Sequence, residues 1–241
     1  MPRTDPSPPR VPKSLTASTH ETLETEDEWV GEHITGTDVS RLEAEHVSIA
    51  RSELRDVQLI GARLHRCALT DVRFVDCDLS GALLIESEWL RVELRNCRMS
   101  GLVVSQSRLR HVGFHEAKLD GGDFRLTNEE QVAFVDCVMP DSDFYEAALT
   151  RVTFERCDLR AAHFVGVRAK DVRLHGSKVE GVRGVSSLRG SRISAEQVLP
   201  LALGLFSEVG ITIDAEGDAH RSGGEPGTSE VSYDPASGTE G

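Results

Sequence analysis

Every fifth residue from Ile34 to Val179 is apolar, with one exception at Glu129. The series runs through Leu54, Leu59, Leu64, Leu69, Phe74, Leu79, Leu84, Trp89, Leu94 and Met99 to Phe154, Leu159, Phe164 and Leu174, so 29 of 30 positions keep the register. Two residues before each lies a second series, Ala62, Cys67, Val72, Cys77, Ala82, Ser87, Val92 and Cys97, in which small or β-branched side chains dominate. Charged and polar residues fill the remaining slots. A helical period of about 3.6 or a strand period of 2 would lose this phase within about ten residues. A turn every five residues keeps it.

If each pentapeptide forms one side of a square coil with both apolar series pointing inward, about four make a turn, and successive coils stack as short parallel ladders. The 30 positions then make about 7.5 coils, roughly 36 Å of solenoid at about 4.8 Å per coil. Segments such as CALTDVRF, CDLSGALL, CDLRAAHF and AALTRVTF resemble the A(D/N)LXX consensus of the pentapeptide-repeat family. That resemblance implies an all-β fold, a right-handed quadrilateral β-helix, usually without catalytic activity. The expected organisation is a disordered N-terminal tail over 1–29, the solenoid over 30–193, a short C-terminal helical cap over 194–213 and a disordered acidic tail over 214–241.

Sorting the repeat into four faces accounts for residues that otherwise suggest a site. Cys77, Cys97, Cys137 and Cys157 share one face and Cys67 another, all in the inward slot, where a thiol serves as a small hydrophobe. Stacked parallel Cβ vectors bring at most two sulfurs together, too few for a structural zinc. Phe74, Phe114, Phe134 and Phe154 form one column, with Phe124, Phe144 and Phe164 in the column opposite. His65, His111, His115, His163 and His175 occupy outward or corner slots, and the HxxxH spacing of His111 and His115 spans two corners rather than a helix face. No GxSxG, GxxxxGK[ST] or HExxH is present. The expectation is therefore no enzyme, no cofactor and no metal.

The net charge of −13 is unevenly spread. Residues 1–32 hold seven acids and three bases, 33–206 hold 25 and 23, and 207–241 hold eight and one. A nearly balanced middle argues for a solenoid that presents mixed-charge faces to an unknown protein partner, as an interaction or scaffold module. The alternative, which the resemblance supplies, is a DNA mimic that modulates topoisomerase (gyrase) and is related to quinolone-resistance pentapeptide proteins. That role needs dense negative charge in place of about one phosphate per 1.7 Å. Direct nucleic-acid binding is not expected. Nor is membrane insertion, because no apolar run reaches about 18 residues. The N-terminus lacks the apolar stretch of a signal peptide, which predicts a cytoplasmic protein.

Two segments depart from the repeat. After Val179 the spacing becomes helical, with Ser194 and Gln197 at capping-box separation, a turn to Leu199, a helix from Pro200 to Val209 and a stop at Gly210. By analogy with the family, this cap is the expected surface for a homodimer. Residues 125–133 (RLTNEEQVA) put Glu129 in an inward slot, where an ionised carboxylate would cost several kcal/mol. The chain is therefore expected to bulge there, turn Glu129 and Glu130 to water, and offer Thr127, Asn128, Glu129 and Glu130 as a partner contact.

Overall fold

Leu54, Phe74, Leu94, Phe114, Phe134 and Phe154 sit directly above one another, each 2% exposed or less, with twenty residues between successive levels. With Ile34 before them and Leu174 after them, the column has eight levels in a parallel β-solenoid. The structure, a computed structural model, describes residues 5–18, 20 and 22–212. Three further inward columns close the square, for example Leu79, Met99, Leu119, Met139 and Leu159.

Hydrogen bonds between coils satisfy the backbone. Leu59 N–H donates to Asp78 O, and Leu79 N–H to Arg98 O, both at 2.7 Å, and this pattern repeats along every face. The longest strands, Ala68–Val75, Glu88–Arg95, Arg108–His115 and Asn128–Val135, each run across one corner and onto a second face. At every corner one residue takes a left-handed conformation. Gly61, Gly81, Gly101 and Gly121 hold four successive levels of one row of corners, but Ala161 (φ +57°) farther along that row, and Asp56 (φ +53°) and Asn96 (φ +51°) in another, do the same. Each non-glycine there costs on the order of 1 kcal/mol, least for Asp and Asn, and the closed ladder holds it in place.

Inside, the phenylalanine rings form two interleaved stacks. Phe114, Phe134 and Phe154 lie parallel at 4.7 and 5.0 Å between centroids, and Phe124, Phe144 and Phe164 at 4.9 and 5.0 Å. Across the core the two stacks meet edge to face, with Phe124 at 5.6 Å from Phe134 and near 90° to it. Both geometries suit the ring quadrupole, so the stacks add to area burial rather than merely fill space.

The structure corrects the limits expected at the N-terminus. The segment assigned to a disordered tail over 1–29 carries the strand Thr16–Ala17, paired with Glu32–Thr35, and the strand Glu28–Val30, paired with Ser48–Ala50. It also supplies the core residues Leu23 and Trp29, each 3% exposed or less. The acidic run Glu24 to Glu28 misleads because its charges are outward while Trp29 fills an inward slot. The tail expected over 214–241 lies outside the described residues.

The C-terminal end closes with side chains in place of a further coil. A 3-10 turn, Ala195–Gln197, leads into α1, Val198–Glu208, so the helix starts two residues before Pro200. Proline is tolerated in that first turn because the N–H it lacks has no intrahelical partner anyway. Ser194 and Gln197 form the capping box. The buried Gln197 amide also donates to Leu174 O and, at 2.7 Å, to Ser177 O, both carbonyls of the last coil. The Glu208 carboxylate accepts N–H groups of Val185 (2.6 Å) and Ser186 (3.1 Å).

This register predicts a sharp contrast between inward and outward substitutions. Phe134→Ala should cost about 3–5 kcal/mol and Arg110→Ala no more than about 0.5 in denaturant melts. Equal effects would refute the inward assignment.

Candidate functional site

Residues 125–133 do not leave the wall. Asn128–Val135 is a regular strand in register with Arg108–His115, and Glu129 stacks between Leu109 and Leu149 with no exposed surface. The expected bulge fails because the carboxyl group can remain neutral. Burial pushes its pKa up to about 8, against a lowering by the Thr127 hydroxyl. Thr127 Oγ1 lies 3.1 Å from Glu129 Oε1 and donates to Phe124 O at 2.8 Å. A protonated Glu129 can therefore donate to Thr127, whose own hydroxyl donates a hydrogen bond to Phe124 O, leaving only Oε2 without a partner. Thr127 is buried as well, Asn128 is exposed and Glu130 half-buried. The four residues proposed as a partner contact thus form no protruding loop, and the contact reading loses its basis.

The cysteines are all buried and free. Burial raises the Cys67 thiol to about 11, with Ser87 Oγ at 3.0 Å. Cys97 is also raised, by its hydrogen bond with Cys77 and by burial. Cys77 is lowered by the same hydrogen bond, against its burial, but all these thiols are buried, away from any substrate. His111 and His115 have lowered pKa values, with burial the main cause in both. Among the described residues no group of three or more His, Cys, Asp or Glu side chains could hold a metal, and no helix is long and apolar enough to cross a membrane.

Outside, charge is paired from coil to coil. Arg73 bonds Glu53 (3.1 Å) on one side and Glu93 (2.9 Å) on the other, Arg66 reaches Glu86 (2.9 Å), and Arg156 reaches Asp136 (2.7 Å). Arg91 grips the buried Asp71 with two bonds at 2.5 and 2.7 Å. That bond holds the Asp71 carboxyl below its ordinary range, and Arg95 and Arg73 do the same for Glu93 against its burial. Each exposed pair contributes at most about 1 kcal/mol. Their larger effect is on potential, because a twenty-residue repeat sets acid against base on the same face.

Two surfaces interrupt the regular walls. At the C-terminal end Leu199 (68%) and Val198 (56%) of α1 and Val209 (63%) just after it are exposed, and a groove of about 460 Å³ lies between α1 and the last coil at Val182 and Arg183. On a side wall, at the middle coils, the proline-rich stretch Asp5–Pro9 lies against the face formed by Val92, Gly113, His115 and Ala133. Ser7 N–H donates to His111 Nδ1 at 3.3 Å, and Arg10 N–H to Asp71 Oδ1 at 2.9 Å. The sequence alone gave no register for this stretch, which lies outside the repeats it covers.

A parallel β-solenoid of five-residue repeats with helical closure defines the class. A family model for the pentapeptide repeat region matches residues 47–124 and 107–183, and the chain belongs to the pentapeptide-repeat family. Similar solved structures include full-length QnrB1, a plasmid-mediated fluoroquinolone resistance protein, at 17% identity over 77% of this chain and 99% of that one (TM-score 0.30). HetL from the cyanobacterium Nostoc sp., involved in heterocyst differentiation regulation, is 19% identical over 68% of this chain and 89% of its own (TM-score 0.33). No curated protein matches the chain.

The buried acid makes stability pH-dependent. Its pKa is raised on folding, so its contribution is intact below the ordinary carboxylate range and is lost as pH rises towards about 8. Glu129→Leu should remove that loss, which is on the order of several kcal/mol, and restore an unbroken apolar column. Urea melts across this range should show wild type weakening relative to the variant. Parallel profiles would refute a neutral buried carboxyl.

Proposed function

We propose that this protein is a non-catalytic interaction or scaffold module of the cytoplasm, presenting its solenoid faces to a protein partner. The coil-to-coil pairing of acids with arginines carries this reading. A face on which Glu53, Glu93, Asp71 and Asp136 are each bonded to an arginine offers local hydrogen-bonding detail rather than a uniform field. Such a surface favours selective contact with another protein. The buried free thiols are compatible with a reducing compartment.

The same pairing weighs against the topoisomerase-directed DNA mimic. Replacement of phosphates requires uncompensated negative charge along the axis. The purified full-length protein should leave gyrase supercoiling and its quinolone inhibition unchanged. Salt-sensitive protection of gyrase would overturn the interaction-module reading in favour of mimicry.

The partner at the C-terminal end is a second copy. Leu199 and Leu203 of α1 and Val209 just after it are exposed, and exposed apolar side chains grouped in this way suit a protein contact. Sedimentation velocity should find a dimer that Leu199→Glu converts to monomer, with the fold retained by circular dichroism. A wild-type monomer at tens of micromolar would remove the homodimer from the proposal.

A further inference from the structure

On a β-solenoid, outward slots should be exposed, yet Glu93, Gly113 and Ala133 are all buried. They are consecutive members of one outward column, joined by the registers Glu93↔Gly113↔Ala133. The stretch Asp5–Pro9 covers that patch. The wall is recessed there because Gly113 and Ala133 follow the longer Arg73 and Glu93. At Gly113 the ring of His115 lies against the bare backbone, since a Cβ there would stand 2.8 Å from His115 Nε2. A cleft of about 240 Å³ remains between the stretch and the face.

The segment itself, Asp5-Pro6-Ser7-Pro8-Pro9-Arg10, has its backbone angles restricted by three prolines and by their effect on the residues before them. Pro6 and Pro9 are half-buried while Ser7 and Pro8 are exposed, the three-residue period of a polyproline II helix laid on a surface. Its polar anchors are at the rim: Ser7 N–H on His111 Nδ1 and Arg10 N–H on Asp71 Oδ1. Asp71 attracts the Arg10 charge as well. Spaced prolines on a recessed wall that carries the His111 and His115 rings, with a carboxylate within electrostatic reach of the basic residue, resemble the chemistry by which proline-rich segments are recognised.

We propose that this groove is a recognition site for a PxxPR segment of a partner protein, and that Pro6 to Arg10 occupy it as an intramolecular stand-in. This narrows the interaction-module reading and rests on it. A tethered occupant competes at an effective concentration on the order of millimolar, so the site responds to a partner only when the partner's segment is abundant or the stand-in is released. No residue of the groove belongs to α1 or its exposed face.

The test uses the full chain and a fluorescent synthetic peptide of residues 5–14 (DPSPPRVPKS). Pro6→Gly with Pro9→Gly should weaken the intramolecular contact, and fluorescence anisotropy should show this double variant binding the peptide at least about tenfold more tightly than wild type. Adding Gly113→Leu, which must evict the His115 ring, should abolish binding, as should His111→Ala, which removes the acceptor for Ser7 without adding bulk. Circular dichroism melts establish that each variant is folded. Equal affinity of wild type and double variant, or binding that survives both groove substitutions, would overturn the proposal while leaving the gyrase and sedimentation results untouched. A dimer that the double variant abolishes would assign the groove to a second copy's N-terminal segment and overturn the partner reading.

Discussion

Parallel stacking of coils at a fixed twenty-residue step is the constraint on which the rest depends. It places each inward side chain over its own kind, so that Phe114, Phe134 and Phe154 stack face to face and the backbone of one coil is the hydrogen-bonding partner of the next. Neither benefit is available to a single coil, which would leave its ladder groups unpaired and its core open on both sides. Stability therefore resides in interfaces between coils, and each end needs a substitute neighbour. The Gln197 amide on Leu174 O and Ser177 O is one such substitute; the strand Thr16–Ala17 on Glu32–Thr35 is another.

The same step explains what the sequence showed and what it hid. Inward slots are legible because apolarity is a property of single residues, and Phe74 through Phe164 fall where their spacing puts them. Corner conformation is less legible. Gly61 or Gly81 announces a left-handed residue, but Asp56 and Ala161 do not, since their local preference is overridden by the ladder on either side. Glu129 is illegible for a thermodynamic reason. Its residue type implies an ion, whereas a carboxyl group in this column avoids most of the cost of burial by keeping its proton and hydrogen-bonding Thr127. Leu23 and Trp29 were hidden for another reason: four acids in five residues outweigh one tryptophan in any composition average.

Surface chemistry follows from repetition too. Because residues twenty apart are neighbours, alternation of acid and base at that spacing cancels charge within a face, as in the series Glu53, Arg73, Glu93. A solenoid with acids at every level would have the opposite field without any change of core. Function in such a fold is thus written in the outward slots and is independent of the five-residue signal that specifies the architecture.

That independence also explains why the proline-rich groove escaped the sequence reading. Its floor is a column of outward residues in which Gly113 and Ala133 follow Arg73 and Glu93, a drop in size visible only when the coils are aligned. Its occupant comes from a stretch with no repeat. A flat wall of long side chains would expose few apolar contacts to a ligand; one glycine and one alanine in successive coils lower the wall enough for Pro6 and Pro9 to sit partly below its rim. Two substitutions in outward slots, neutral to the core, suffice to turn an ordinary face into a place where an extended chain can lie. Binding sites on this architecture can therefore arise without disturbing what holds it together, which accounts for a core kept regular through eight levels beneath a surface that is locally specialised.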